Sequence, residues 1–534
     1  MGMLNREKTV AKTVDNALKK WGRERVIIES DVEVNYPTLH GIYLTYGSLF
    51  EQVNLLANGL IEKLGLEPGD RVIVSLTNRL ELATAIFAIF KAGGIVVPVN
   101  FGLKAQEISY IAENSGAKII FTEPDVIAWN IKDTSQVPGI KHWVICGEDE
   151  NLPRRGVHYS QLEDGMNKEV VERAPRVTPD DIVLIAYTSG TTGRPKGAML
   201  SSANLAAMKR VRYLLRVVRR EHLGLVCLPL CHIFGLTSLI GAVKSGQRLI
   251  MHRFFEPEKV LKTIEQRKVT GFVGVPAMYA MMLRAGAENY DLSSVRYWIS
   301  GADAMPVEHI KKFTSFGRSL FVEGYGLVET APIVTTNAWF LHKPGTVGIT
   351  LPGIKTKIMD EQGNFLKRGE IGELVIRGPN VMKGYWNDSE ATIKAFRYGW
   401  FHTGDLAKKD RWGYITFVDR KKDVIKCGGY SIFTKEVEEE ILEHEAVAEA
   451  ALIGIPHPTM GELPLAVVSL KEGAKVSEEE LMNWCRERIA DYKAPRKIKI
   501  MRAEEIPRTY TMKILKRELR EMFANEFGEG KRDS

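Results

Sequence analysis

The residues best suited to chemistry lie in one short stretch, YTSGTTGRPKGAML, from Tyr187 to Leu200. An apolar run, DIVLIAYT, leads into a loop carrying Thr188, Ser189, Thr191 and Thr192, with Gly190, Gly193, Lys196 and Gly197. Glycines let backbone N–H groups close around phosphate oxygens, hydroxyls add donors, and lysine supplies positive charge. Pro195 stiffens the exit. This is not a Walker A loop, because GxxxxGK[ST] cannot be threaded through Gly190–Gly197. A plain polar surface loop would not gather these residues behind an apolar strand, so the pattern predicts a phosphate-binding loop.

Seven further motifs follow in order: PLCHIFG (229–235), SGADAMP (300–306), GYGLVE (324–329), GELVIRGP (372–379), WFHTGDL (400–406), DRKKDVIKCGG (419–429) and MKILKREL (512–519). SGTTGRPKG resembles the phosphate loop of the adenylate-forming enzymes, a family that includes acyl-CoA synthetases, aryl-CoA ligases, luciferases and peptide-synthetase adenylation domains. The other motifs stand in that family's order, over roughly residues 40 to 520.

The resemblance implies a role for each motif. Tyr325 stacks on adenine, with Gly326 beside it, and Gly301, Ala302 and Asp303 form a close floor under the base. Glu329 is a hard oxygen ligand for Mg²⁺ on the triphosphate, with Thr188 as its companion; an N-terminal helix charge is the alternative. Asp405 accepts both ribose hydroxyls, unless it is an ordinary turn Asp. Arg420 holds ribose or phosphate. His232 and Phe234 line the mouth of an acyl pocket, the alternative for His232 being a satisfied core histidine. Val275, Ala302 and Val334 complete an apolar lining, which favours an aliphatic or aryl acid over a charged one. Lys513 is the catalytic cation, offsetting charge as a carboxylate attacks the α-phosphate; without the family match it would be one solvated lysine among many. Lys422 resembles the hinge about which the family's C-terminal domain turns between half-reactions, and Gly428, Gly429 and Tyr430 border the path of the CoA thiol.

The implied reaction joins a carboxylic acid, ATP and CoA. A loader of a carrier protein, an oxidiser of its own adenylate and a silent nucleotide-binding homologue are the alternatives. Three residues depart from the family pattern: Val328 for Thr, Met512 for the Gly before the catalytic lysine, and Thr434 for Pro after the hairpin. The first removes a hydroxyl bond to phosphate, and the second adds strain if that backbone needs a positive φ.

Elements that could position these residues are legible around them. RVIVSL (71–76), IVVPV, AKIIFT, HWVICG, DIVLIAYT, RLIMHR, GFVGVP and RYWIS read as strands, and ELATAIFAIFKAGG (81–94) as a buried helix. Glycine-punctuated short strands dominate 345–418. A hairpin, VIKCGGYSIF, then leads into a compact α+β unit. The expected class is α/β: a large N-terminal AMP-binding domain (1–418) of two layered α/β sheets plus a small β-barrel (345–418). A hinge at 419–423 precedes a small mobile α+β domain at 424–534.

Composition narrows the class further. The 534 residues are 45% hydrophobic and 26% charged, excluding a disordered, collagen-like or integral membrane chain. The run from His222 to Val243 holds no Asp, Glu, Lys or Arg, but its glycines and Pro229 read as a strand, a turn and a helix rather than a membrane span. Five scattered cysteines suit a reducing cytosol, and Cys227, Cys231 and His232 lack the second ligand pair of a zinc finger. No secretory leader or lipidation motif is visible. Oligomeric state stays open, a homodimer being one option. Lys and Arg exceed Asp and Glu by seven, and the segment Lys493–Arg520 alone carries ten basic residues against three acidic. That segment is expected to draw polyphosphates, not nucleic acid, toward the C-terminal domain.

Overall fold

The computed structural model describes residues 9–148, 152–172, 175–188, 194–207, 222–303, 305–337, 342–508 and 514–524. The chain forms two compact units: Met1–Lys355 with Ile376–Phe401, and Thr356–Val375 with His402–Ser534.

The first unit holds two large sheets. Seven strands run in the order Gly156–His158, His142–Ile145, Ile119–Thr122, Arg71–Val74, Ile95–Pro98, Ile182–Thr188 and Lys196–Ser201. All pair in parallel except the last two, which form a hairpin. In the nine-stranded sheet a parallel centre of Leu320–Gly326, Tyr297–Ser300, Gly271–Gly274, Leu223–Val226 and Arg248–Met251 is flanked by antiparallel pairs at both edges.

Strands such as Ile95–Pro98 and Ile119–Thr122 are buried at every position. Parallel strands covered on both faces have no solvent face to fill with polar residues, which explains such unbroken apolar runs. One core extends from Val72, Val74 and Val96 of the first sheet to Val226 and Leu249 of the second. The helices Tyr46–Glu62, Leu80–Lys91 and Ile233–Ser245 contribute to it. Separate clusters pack on the outer faces, around Phe272, Trp298 and Phe313 on one sheet and Ile120, Trp143 and Ile108 on the other.

The charge-free run 222–243 becomes the strand Leu223–Val226, a turn and most of the helix Ile233–Ser245. Among the described residues no helix is long and apolar enough to cross a membrane.

The second unit contains a four-stranded sheet in the order Lys355–Met359, Gly372–Arg377, Phe401–Lys409, Ile415–Arg420. Its other sheet runs Tyr430–Ile432, Ile425–Cys427, Gly461–Leu470, Val447–His457, with Lys497–Ile500 paired to Gly461–Leu470. Side chains alternate along the long hairpin. Leu452, Ala466 and Val468 therefore face the core under the helices Thr434–Leu442 and Glu478–Arg488. Ala451, Ile453, Leu465 and Val467 face Leu519 and Phe523 of the helix Lys516–Ala524. Packing thus places strands that precede residue 419 in this unit, and the strip 419–423 lies inside it as a turn closed by Asp423 N–H to the Arg420 carbonyl (2.9 Å).

Candidate active site

The phosphate-loop stretch begins as a hairpin. Strand Ile182–Thr188 pairs with Lys196–Ser201, and the last rung joins Thr188 to Lys196. Thr188 Oγ1 donates to the Lys196 carbonyl at 3.5 Å. Ser189, Gly190, Thr191, Thr192 and Gly193 lie outside the described residues. A third segment lies along the hairpin: Met199 N–H donates to the Gly384 carbonyl (2.9 Å) and Trp386 N–H to the Gly197 carbonyl (2.7 Å). This brings Tyr385 opposite Ala198, with the Lys196 ammonium 5.7 Å from the centre of its ring.

Tyr385 also reaches the next motif. Its hydroxyl donates to Glu329 Oε1 at 3.0 Å, and Met382 N–H donates to the Glu329 carbonyl at 2.8 Å. Glu329 is buried in the short 3-10 turn Val328–Thr330. Burial first, and the Glu329 charge second, push the Tyr385 phenol well above its ordinary pKa, so it stays a neutral donor. Val328 packs against the main core.

Tyr325 lies on the strand Leu320–Gly326, paired with Thr335 across the sheet. The next residue must be glycine: a Cβ on Gly326 would stand 1.6 Å from the Pro332 carbonyl oxygen. Strand Tyr297–Ser300 runs beside it and ends at Gly301, which is buried. A methyl on Gly301 would come within 3.3 Å of the Phe234 ring and 3.6 Å of the Gly324 carbonyl oxygen. Ala302 and Asp303 follow exposed, and Ala302 takes a φ of 72°. A non-glycine residue held there costs about 1–3 kcal/mol, and such strain collects at functional sites.

PLCHIFG delivers His232 to the N-cap of the helix Ile233–Ser245, where Nδ1 accepts from Phe234 N–H at 3.4 Å. Burial pulls the His232 pKa down, leaving a neutral imidazole. Phe234 is half-buried against the core, while Val275 and Val334 are buried within it. The structure therefore brings Phe234 and Gly301 into proximity, and separately Lys196, Tyr385 and Glu329. Cys227 is buried, and among the described residues no group of three or more His, Cys, Asp or Glu could hold a metal ion.

In the second unit Asp405 and Arg420 are cross-strand partners, with Arg420 Nε 4.0 Å from Asp405 Oδ1. Asp405 is buried, and its N–H donates to Thr403 Oγ1. The adjoining Gly404 N–H donates to Glu373 Oε1, which fixes the turn presenting the carboxylate. Gly428 and Gly429 have φ of 55° and 86° and link Cys427 to Tyr430, a two-residue hairpin loop of the kind that requires positive φ at both central positions. Tyr430 is exposed and stacks on Tyr492 with ring centres 4.6 Å apart. Lys422 sits in the turn after Arg420. Met512 and Lys513 lie outside the described residues. Their flanks close on each other, Arg508 bridging Ile514 and Leu515 N–H donating to the Pro507 carbonyl.

Two participants escaped sequence reasoning. Tyr385 belongs to MKGYW, a tight glycine–aromatic cluster between two quoted motifs that would have marked it. Thr434 stood in the sequence only as a departure from the family's proline, yet it is fully buried. Its N–H and hydroxyl both donate to the buried Asp419 carboxylate, and the hydroxyl accepts from Lys516 Nζ at 2.7 Å. Lys516 also pairs with Glu438 (2.7 Å), and Arg520 with Asp423 (2.9 Å). Burial pushes Asp423 up, and the cations Lys516, Arg520 and Lys422 outweigh it, holding the carboxyl below its usual range.

Residues 16–386 match the family of AMP-binding enzymes, and residues 436–513 match the AMP-binding enzyme C-terminal domain. The chain is 35% identical to a long-chain-fatty-acid–CoA ligase of Bacillus subtilis, over 91% of each chain. It is 36% identical to a feruloyl-CoA synthase of Amycolatopsis, over 90% of this chain and 94% of that one. Among solved structures, ATP-bound MatB from Rhodopseudomonas palustris superimposes with a TM-score of 0.85 at 29% identity, covering 97% of this chain and 99% of that one. A phosphate-type hairpin beside a buried glutamate, an Asp–Arg pair on neighbouring strands and a match along nearly the whole chain lead to one conclusion: the chain belongs to the adenylate-forming AMP-binding enzymes, as an acyl-CoA synthetase that converts a carboxylic acid to acyl-AMP and then to its CoA thioester.

Proposed function

We propose that the acid is apolar, either a fatty or an aryl acid, and that the sites divide the work as follows. The carboxylate oxygen attacks the α-phosphorus of ATP and pyrophosphate leaves; the CoA thiolate then attacks the acyl carbon and AMP leaves. Lys196 and the loop it closes bind phosphate oxygens, Tyr325 and Gly301 to Asp303 take the adenine, and Asp405 with Arg420 takes the ribose. Lys513 offsets the charge that builds up during adenylation. Phe234 and neutral His232 present an apolar, uncharged approach to the acid, and relatives named for long-chain fatty acids and for ferulate support that class. The hairpin of Gly428, Gly429 and Tyr430 borders the thiol path, and Lys422 serves as the hinge.

A carboxylate and a hydroxyl are the hard oxygen donors that Mg²⁺ prefers, so Glu329 and Thr188 fit that ion. Bound there with ATP, it would neutralise phosphate charge. The observation that carries the reading is the buried Glu329 carboxylate held by Tyr385, the same side chain that seats the phosphate-loop cation Lys196. The test is AMP release that depends on both acid and CoA, across acids from acetate to long-chain and aryl. No AMP with any acid would sink the reading; acyl-AMP without a thioester would favour carrier loading.

A further inference from the structure

Tyr385 stands between two opposite charges that have separate tasks. Its hydroxyl holds Glu329 Oε1 at 3.0 Å, and its ring lies beneath the Lys196 ammonium at 5.7 Å. The segment carrying it is tied on both sides, by Lys383 N–H to the Met199 carbonyl and Trp386 N–H to the Gly197 carbonyl, each within 2.9 Å. The hydroxyl therefore has a fixed origin. A glutamate and a lysine free to approach each other would form an ion pair, and each would have to be released before binding nucleotide. A cation over an aromatic face and a carboxylate on a phenol are weaker, separate attachments, each of which a phosphate or a metal ion can outcompete.

We infer that Tyr385 is a positioning residue for the triphosphate end of ATP: it orients the Glu329 carboxylate and seats Lys196 apart from it. This rests on the reading of Glu329 and Lys196 as phosphate-site residues. Removing the hydroxyl alone should weaken the Mg²⁺-dependent part of nucleotide binding and spare the base and ribose part.

The test is calorimetric titration of the full chain with α,β-methylene-ATP, with and without Mg²⁺, and with AMP. Tyr385→Phe should bind the analogue about tenfold more weakly in Mg²⁺, yet stay within about twofold of wild type for AMP and for the analogue without Mg²⁺. Glu329→Gln should show the same pattern, and the double variant should lose no more than either single one. Wild-type affinity in Tyr385→Phe with Mg²⁺ would overturn the inference. So would an equal loss for AMP, which would assign the side chain to packing, or additive losses in the double variant. Wild-type protein that gains no affinity from Mg²⁺ would instead overturn the assignment of Glu329 itself.

Discussion

Replacing Thr434 with proline restores the residue usual at this position in the family, and it should destabilise this protein. Asp419 is buried and accepts from the Thr434 N–H, the Thr434 hydroxyl and the Arg420 N–H. Proline deletes the first two donors at once. A hydrogen bond to a charged group contributes about 1.5–3 kcal/mol, so the gross loss is roughly 3–6 kcal/mol. Thr434 opens the helix Thr434–Leu442, and the first helical position accepts proline without strain. The stiffer chain returns about 0.4–1 kcal/mol through its unfolded state. The net cost is about 2–6 kcal/mol, or a fall of roughly 4–20 °C in the melting of a unit of this size. Lys516 loses its contact with the hydroxyl but keeps Glu438, so the helix Lys516–Ala524 stays attached. The assay is scanning calorimetry of the full chain with hydrogen exchange of the amides of Ile415–Arg420 and Thr434–Leu442. Thr434→Ser keeps both donors and should melt within about 3 °C of wild type, while Thr434→Val, which keeps only the N–H, should fall between. A proline variant that melts at or above the wild-type temperature would refute the reasoning.

Three other outcomes are expected. Gly326→Ala must move either Tyr325 or the Pro332 backbone, because the new carbon would sit 1.6 Å from a carbonyl oxygen; adenylation measured by pyrophosphate exchange should fall at least about a hundredfold. Glu163 is buried, and its carboxyl is raised from 4.5 to about 7, with burial as the main cause. A raised pKa means the folded state holds the proton more tightly, so this stabilisation is complete below pH 4.5 and disappears as pH rises through 7. About 3 kcal/mol is at stake, and urea titrations of Glu163→Gln should show that much less loss of stability between pH 5 and 8 than wild type. Lys513→Ala should abolish acyl-AMP formation while leaving AMP binding in place; wild-type adenylation rates in that variant would exclude Lys513 as the catalytic cation.

Much of the first unit is legible because its strands are covered on both faces. Runs such as IVVP and IIFT cannot be anything polar and cannot be long helices, so composition alone marks them. The strand Phe401–Lys409 is not legible in this way. Its polar HTGD segment, to which the proposed function assigns ribose binding, breaks the alternation that would announce a strand. The Asp419–Thr434–Lys516 network joins residues 15 and 82 positions apart, and the Tyr385–Glu329 bond spans 56. Motifs list residues that act on substrate, whereas these contacts act on other side chains and arise only when distant elements meet. The departure at Thr434 shows the difference: counted against a pattern it is a loss of proline, but in the fold it gains two donors to a buried carboxylate.

Folding also relocates the charge. The segment Lys493–Arg520 is strongly basic when read along the chain, but five of its ten cations pair with acids from elsewhere in the same unit. Lys493 pairs with Glu436, Arg496 with Asp491, Arg508 with Glu449, Lys516 with Glu438 and Arg520 with Asp423, all within 3.2 Å. The second unit as a whole holds 27 Lys and Arg against 29 Asp and Glu, and the first holds 46 against 37. An ion pair that close acts at a distance as a dipole, and its field fades within a Debye length of about 8–10 Å. The second unit as a whole therefore offers no net positive charge to support the expectation that this segment draws polyphosphates to it. The positive surplus that can act at long range belongs to the first unit. Lys209, Arg210, Arg212, Arg216, Arg219 and Arg220 make a large part of it, with Glu221 the one acid among residues 208–221. The net positive surplus lies in the unit that carries the Thr188–Lys196 hairpin, whereas Arg508, Lys516 and Arg520 of the second unit make close contacts with Glu449, Glu438 and Asp423 on either side of Lys513 in the chain.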